Sequence, residues 1–114
     1  QIDAVLPEPT SMNSPQTGNA QGPNAPITIT LVYANETSVN GTGVTITVAP
    51  LNLNLACSPT GNQFICNGNL PSAGGVTDTL TTVQITAGTV TDAAGNSGTA
   101  TIVPGTIDIP YNIP

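Results

Sequence analysis

Residues 81–103 read TTVQITAGTVTDAAGNSGTATIV, and this stretch decides the fold. Two runs of alternating apolar and polar residues flank a polar Asp-Ala-Ala-Gly-Asn segment, which is the pattern of a β-hairpin. Asp92, Gly95 and Asn96 supply the left-handed or side-chain-capped backbone that a tight turn requires. We therefore predict two antiparallel strands joined at residues 92–96.

The same period of two recurs over most of the remaining chain. The predicted strands are residues 27–34, 43–49, 51–55, 63–66, 80–87, 98–103 and 106–111. No segment repeats apolar residues at the three- and four-residue spacing of a helix. About seven short strands, rich in Thr, Val and Ile and separated by Gly, Pro and Asn, predict an all-β fold, an antiparallel β-sandwich.

The charge composition restricts the partners. The 114 residues include no Lys, Arg or His and six acidic residues, giving a net charge of −6. Binding to nucleic acid or to anionic lipid depends on cationic side chains, so we expect neither. No apolar run approaches the roughly 20 residues of a membrane span, so no membrane span is expected.

Enzymatic activity is not expected either. Without His or Lys, no Ser-His-Asp triad, Cys-His pair or Schiff base can form, and carboxylates are the only bases available. Asp78 and Asp92 are the candidate pair for glycoside hydrolysis, but the chain has no aromatic platform for a sugar and no Arg to orient one. Asp92 and Asn96 are also candidate calcium ligands, although turn capping explains both more simply. We predict no metal and no cofactor.

Cys57 and Cys66 are the only cysteines, in the segment CSPTGNQFIC. An even count in a small chain predicts one disulfide that closes a short loop, and two reduced thiols are the alternative. Asn35 and Asn40 each begin an Asn-x-Thr sequon, so both are candidate glycosylation sites. Together these features indicate an extracellular protein.

The N-terminal region differs in composition from the rest. The first six residues alternate between two faces; they are Gln1, Ile2, Asp3, Ala4, Val5 and Leu6. Residues 7–26 contain five prolines and few apolar side chains, which predicts an extended, poorly packed linker. We therefore divide the chain into residues 1–26, a strand and a linker, and residues 27–114, the sandwich.

Two resemblances extend this interpretation. Residues 86–101, TAGTVTDAAGNSGTAT, resemble the closing hairpin of bacterial Ig-like domains in surface and adhesin proteins, which implies an Ig-like sandwich. The order of short strand, linker and sandwich is similar to pilus and thread subunits, extracellular archaeal filaments among them. In those families, each subunit donates a terminal strand to a groove in its neighbour.

The second resemblance implies a structural subunit of an extracellular filament. Its partners would be copies of itself in a head-to-tail homopolymer, with other cells or surfaces as targets. Residues 1–6 would be the donor strand, with residues 106–113 as the competing donor. The acceptor groove would be lined by Val83, Ile85 and Ile102.

Two alternatives accompany the filament hypothesis. Residues 1–6 could be an ordinary first strand of their own sandwich, or a frayed terminus. The whole chain could be an Ig-like adhesin or carbohydrate-binding module of a larger surface protein, although its three aromatic residues are few for a face that stacks on sugars.

The absence of cationic side chains also predicts tolerance of strong acid, because there are no ion pairs between side chains for acid to break.

Overall fold

The computed structural model describes residues 6–98 and 101–114, and this part of the chain contains ten strands and no helix. The strands are β1 (Ser11–Asn13), β2 (Pro26–Val32), β3 (Val39–Ala49), β4 (Leu53–Thr60), β5 (Gln63–Asn69), β6 (Val76–Leu80), β7 (Thr82–Asp92), β8 (Ser97–Gly98), β9 (Thr101–Ile102) and β10 (Ile109–Ile113). One sheet has the order β1-β2-β5-β4-β3-β7-β8, with β9 also paired to β7, and β6 and β10 form a second sheet. All strand pairs are antiparallel, so the predicted all-β, antiparallel sandwich is confirmed.

Alternation of buried and exposed side chains explains why these segments form strands. In β2, Ile27, Ile29 and Leu31 are buried and the residues between them are partly exposed. A strand with one apolar face is stable only when that face packs on other apolar side chains. The inward faces of both sheets therefore build one core.

The core is almost entirely aliphatic. Its buried members are Ile27, Ile29, Leu31, Tyr33, Val39, Val44, Ile46, Val48, Leu55, Phe64, Cys66, Leu70, Leu80, Val83, Ile85, Val90, Val103, Ile107, Ile109, Tyr111 and Ile113. These residues come from both sheets and from the segments between them, so the two sheets share this core.

Tyr33 follows β2 directly and is completely buried. Its ring meets Phe64 edge to face, with 5.9 Å between centroids and an angle of 61° between the planes. Its hydroxyl has no hydrogen-bond partner among the described residues, and burial raises its pKa to about 12. The aromatic pair thus fills the core at the cost of one desolvated polar atom.

The second sheet contains a strand that the sequence pattern did not predict. In β6, Val76 and Leu80 face inward at the two ends, while the residues between them are polar. This strand pairs with β10 over five residues, with Asp78 opposite Tyr111. Burial and the charge of Asp78 both raise the pKa of Tyr111.

Residues 7–26 are packed against the domain, so the predicted poorly packed linker is wrong for this segment. Ser11–Asn13 pairs with β2, and the Thr10 N–H donates to the Val32 carbonyl at 2.7 Å. The Gln21 N–H donates to Pro110 O at 2.9 Å, and the Gln21 carbonyl accepts from Asn112 N–H at 3.0 Å. These contacts are made by backbone groups, which form hydrogen bonds regardless of the side chains. The composition of the segment therefore does not predict them. The division at residue 26 remains a prediction.

Candidate assembly site

The predicted hairpin forms, and its turn is organised by a buried carboxylate. Asp92 is 5% exposed, and its Oδ1 accepts the N–H groups of Ala94 at 3.0 Å and of Asn96 at 2.9 Å. Its Oδ2 accepts from the Asn96 side-chain amide at 3.1 Å, and Gly95 has a φ of +91°. This carboxylate therefore has the capping role that the sequence predicted.

A β-bulge lies opposite Gly88, where two residues of β3, Gly43 and Val44, face one residue of β7. The pairing with β3 shifts register near Thr45, opposite Ala87. Gly88 has a φ of +85°, and a Cβ at this position would lie 2.6 Å from Val44 Cα. Only glycine satisfies both conditions, so the bulge depends on this residue.

The three residues predicted to line an acceptor groove lie on two different faces. Val83 and Ile85 are each 1% exposed and belong to the core. Ile102 is 72% exposed, on the outer face. The register explains the difference, because Ile102 stands opposite exposed Gln84, while the N–H of buried Val103 donates to Val83 O at 3.0 Å. The structure therefore brings Val83 and Ile85 together inside the domain and leaves Ile102 outside.

A groove of about 330 Å³ lies beside Ile102 on the outer face of the large sheet. Its lining consists of Thr47, Ala49, Asn52, Thr82, Val83, Gln84, Thr86 and Ile102. None of these residues carries a charge. The groove thus combines an exposed apolar side chain with neutral polar walls.

Five residues of the predicted donor strand, Gln1 to Val5, lie outside the described residues, and Leu6 is the first residue described. Exposure alternates from there, with Leu6 and Glu8 exposed and Pro7 and Pro9 buried. The Pro7 carbonyl oxygen lies 3.3 Å from where a Cβ on Gly98 would stand. The N-terminal segment therefore enters the fold beside β8.

The predicted disulfide is confirmed. Cys57 and Cys66 stand directly opposite each other in β4 and β5 and are joined by an S–S bond of 2.03 Å. Cys66 is completely buried, and Cys57 packs against the core from its edge. The bond therefore joins two strands in the middle of the large sheet.

Both predicted glycosylation asparagines are exposed. Asn35 lies in the loop after β2, and Asn40 lies on β3, where its side-chain oxygen accepts the Gly41 N–H at 2.8 Å. Asn40 borders an open concavity of about 630 Å³. Its lining residues are Ser38, Val39, Asn40, Gly41, Thr42, Thr89, Thr91, Asp92 and Ala93. Both sequons are thus accessible, and their occupancy remains a prediction.

The carboxylates considered for chemistry lie in different places. Asp78 is exposed on β6 of the small sheet, where its Oδ1 accepts the Thr79 N–H at 2.8 Å. Asp92 is buried at the hairpin turn of the large sheet. Within residues 6–98 and 101–114, no three His, Cys, Asp or Glu side chains form a group that could hold a metal ion.

No protein family, curated protein or solved structure matches the chain. In the described part of the chain, no helix is long and apolar enough to cross a membrane. The contacts of the chain itself must therefore carry any functional conclusion.

Some features of this site were missed by sequence reasoning. The burial of Pro7 and Pro9 and the edge strand β1 were not predicted. The one available signal was the alternation of proline with Leu6, Glu8 and Thr10, which continues the period of two beyond residue 6. Proline is compatible with an edge position because it needs no partner for an N–H.

Proposed function

We propose that this protein is the structural subunit of an extracellular filament, and that residues 1–6 of one copy add as a strand to the next copy. One observation carries the proposal. Leu6, at 53%, and Ile102, at 72%, are the large apolar side chains that the described chain leaves exposed. Leu6 ends the predicted donor, and Ile102 lies on a strand at the edge of the sheet.

The positions of these two residues favour joining head to tail. Gly98, beside Pro7, pairs with Val90, and Ile102 pairs with Gln84. Six residues of β7 separate the two sites, about 20 Å along the strand. A donor and an acceptor at different places on the surface form a heterologous contact, and repeating it builds a fibre unless the rotation closes a ring.

The forces available to such an interface follow from the composition. With no Lys, Arg or His, copies cannot attract each other through ion pairs between side chains, and a net charge of −6 on each makes them repel. Strand hydrogen bonds and apolar contacts must therefore supply the affinity. Added salt screens the repulsion, so we expect salt to promote assembly.

The extracellular location in the proposal is supported by the disulfide between Cys57 and Cys66. Disulfides persist in oxidising compartments and are rare in the cytosol. Exposure of Asn35 and Asn40 is compatible with glycans on the filament surface.

The test is assembly of two matched variants, examined by negative-stain microscopy and sedimentation. Ile2→Ser with Leu6→Ser removes the apolar face of the donor, and Gln1→Ser with Asp3→Ser alters the other face. Loss of two buried apolar side chains costs about 3–6 kcal/mol, so the first variant should need at least a hundredfold higher concentration to assemble. The second variant should form filaments like the unmodified protein. Discrete monomers from the unmodified protein at high concentration and high salt would reject the proposal.

A second candidate function is a carbohydrate-binding or adhesin module, favoured by the 630 Å³ concavity near Asn40. Hydroxyl groups from Ser38, Thr42, Thr89 and Thr91 line it, and such groups can hydrogen-bond a sugar. Calorimetric titration of neutral oligosaccharides into the protein tests it. Binding that is lost in Thr91→Val and kept in Thr60→Val, an exposed threonine outside the concavity, would support this module.

A further inference from the structure

We infer that the acceptor for residues 1–6 is the outer edge of β9 on a second copy of this chain, with an apolar donor side chain packing against exposed Ile102. This inference rests on the proposed function and specifies its contact. It differs from the expected groove floored by Val83 and Ile85, since both of those side chains are enclosed in their own core.

The register of the hairpin shows which backbone groups of β9 point outward. Val103 N–H donates to Val83 O at 3.0 Å, so this opposing pair is hydrogen-bonded. Hydrogen-bonded and non-bonded pairs alternate in an antiparallel ladder. Ile102, opposite Gln84, is therefore in a non-bonded pair. Its N–H and carbonyl point away from β7, where an added strand would find them.

The side chain at the same position supplies the apolar contact. Ile102 is 72% exposed and borders the 330 Å³ groove. The groove lies on the outer face, between β3 and β7, and its walls carry no charge. The β9 edge thus offers hydrogen bonds and an exposed apolar side chain, with an uncharged surface behind it, and these favour strand addition.

Two other strands, β2 and β6, offer less suitable edges for this role. On β2, the edge is covered by β1, and the N–H of Thr28 donates to the Gln16 side-chain oxygen at 2.9 Å. On β6, the exposed carboxylate of Asp78 accepts the N–H of Thr79. A charged side chain on an edge opposes strand pairing. The edge at β9 has neither obstacle.

The donor comes from a second copy because of the course of residues 6–13. The alternating exposure of Leu6, Pro7, Glu8 and Pro9 is that of an extended segment, which continues into β1. Proline also favours an extended backbone at the residue before it, here Leu6 and Glu8. To lie on the β9 edge of its own molecule, the peptide would have to reverse direction at these residues. A straight continuation from Pro7, which lies beside Gly98, would run away from Ile102, because β1 and β9 point in the same direction.

A free hexapeptide with the sequence of residues 1–6, QIDAVL, tests the acceptor directly. It is added to the full-length protein at a protein concentration too low for assembly, and amide hydrogen exchange of Ile102 is followed by NMR. At a peptide concentration ten times its Kd, exchange at Ile102 should slow about tenfold. A peptide of the same composition without the alternation, QDILVA, should leave the rate unchanged. Unaltered exchange with saturating QIDAVL would overturn the inference, and so would an Ile102 amide already protected without peptide, since its own chain would then cover the edge.

Assembly of edge variants separates this inference from the proposed function. Ile102→Asp places a charge at the acceptor, and Ile65→Asp, on the outer face of β5, is the matched control. With both variants folded by circular dichroism, only Ile102→Asp should stop filament formation. Filaments formed by Ile102→Asp would overturn the inference and leave the proposed function standing. If the unmodified protein forms none, the proposed function fails, and the peptide experiment still decides whether the β9 edge binds the strand.

Discussion

Replacing Tyr33 by Phe should stabilise this protein, although it removes a buried side-chain atom. The ring is completely buried against Phe64, and its hydroxyl has no hydrogen-bond partner among the described residues. An unsatisfied buried polar group costs about 1–3 kcal/mol, while loss of one oxygen from the core leaves only a small gap. We expect Tyr33→Phe to raise the free energy of unfolding by about 1 kcal/mol at neutral pH.

The same substitution should remove part of the sensitivity to alkaline pH. Burial raises the pKa of Tyr33 to about 12, whereas the unfolded chain has a value near 10. Between these two values the unfolded state loses the proton and the folded state keeps it, so stability falls as pH rises. At pH 11 the loss from this residue is about 1.4 kcal/mol. The advantage of Tyr33→Phe should therefore grow from about 1 to about 2.4 kcal/mol between pH 7 and pH 11.

Urea unfolding of both proteins at pH 7, 9 and 11, followed by far-ultraviolet circular dichroism, measures these differences. Tyr111 is present in both proteins, so its own raised pKa cancels in the comparison. A Tyr33→Phe protein that is less stable by 1 kcal/mol or more at pH 7 would show that the hydroxyl has a bonding partner. Parallel stability curves from pH 7 to 11 would refute the assigned pKa.

Three further predictions concern the backbone, the disulfide and acid. Gly88→Ala should lower the free energy of unfolding by about 3 kcal/mol, and Gly105→Ala by about 1 kcal/mol. Both glycines have a φ near +85°, but a Cβ at Gly105 meets nothing within 4 Å. Equal losses of stability in thermal unfolding would contradict this. Replacing Cys57 and Cys66 by Ala should cost about 2–3 kcal/mol for a loop of this length, measured by urea unfolding against the oxidised unmodified protein, and no loss would refute it. Circular dichroism should stay native to about pH 2, because there are no ion pairs between side chains for acid to break and no cationic side chain to drive charge repulsion. A cooperative transition between about pH 4 and 2 would disprove it.

The sequence was most informative where side chains alone determine the structure. Alternation predicted the hairpin and most strands, and the Asp92 turn formed with the expected capping residues. The pair of cysteines predicted the disulfide, because an even cysteine count in a small chain indicates a bridge. These features depend on local pattern and need no knowledge of distant partners.

The alternation of apolar and polar residues did not determine on which face of the sheet Ile102 lies. Ile102 and Val103 are adjacent apolar residues, so the strand fits either of two phases. The hydrogen bond from Val103 N–H to Val83 O selects the phase that buries Val103 and exposes Ile102. A one-residue change of register exchanges the faces, and only the partner strand decides it.

Residues outside the apolar pattern were harder to predict. The strand β6 has apolar residues only at its ends, Val76 and Leu80, and so lacks a visible period of two. The packing of residues 7–26 depends mainly on backbone hydrogen bonds to β2 and β10, which carry no side-chain signature. Such segments become predictable only when the sheet edges that they cover are known.

The short ladder between β1 and β2 has a mechanical consequence. The ladder comprises Ser11–Asn13 opposite residues 30–32, and the Thr10 N–H and hydroxyl both donate to Val32 O. Tension applied to residues 1–6 would reach the domain through these few bonds, along the strand direction. They would then carry the load together in shear instead of opening one after another. The three residues of this edge strand therefore set the force at which the N-terminal segment of a stretched fibre begins to detach from its own domain, and the covalent chain through residues 14–26 holds after they open.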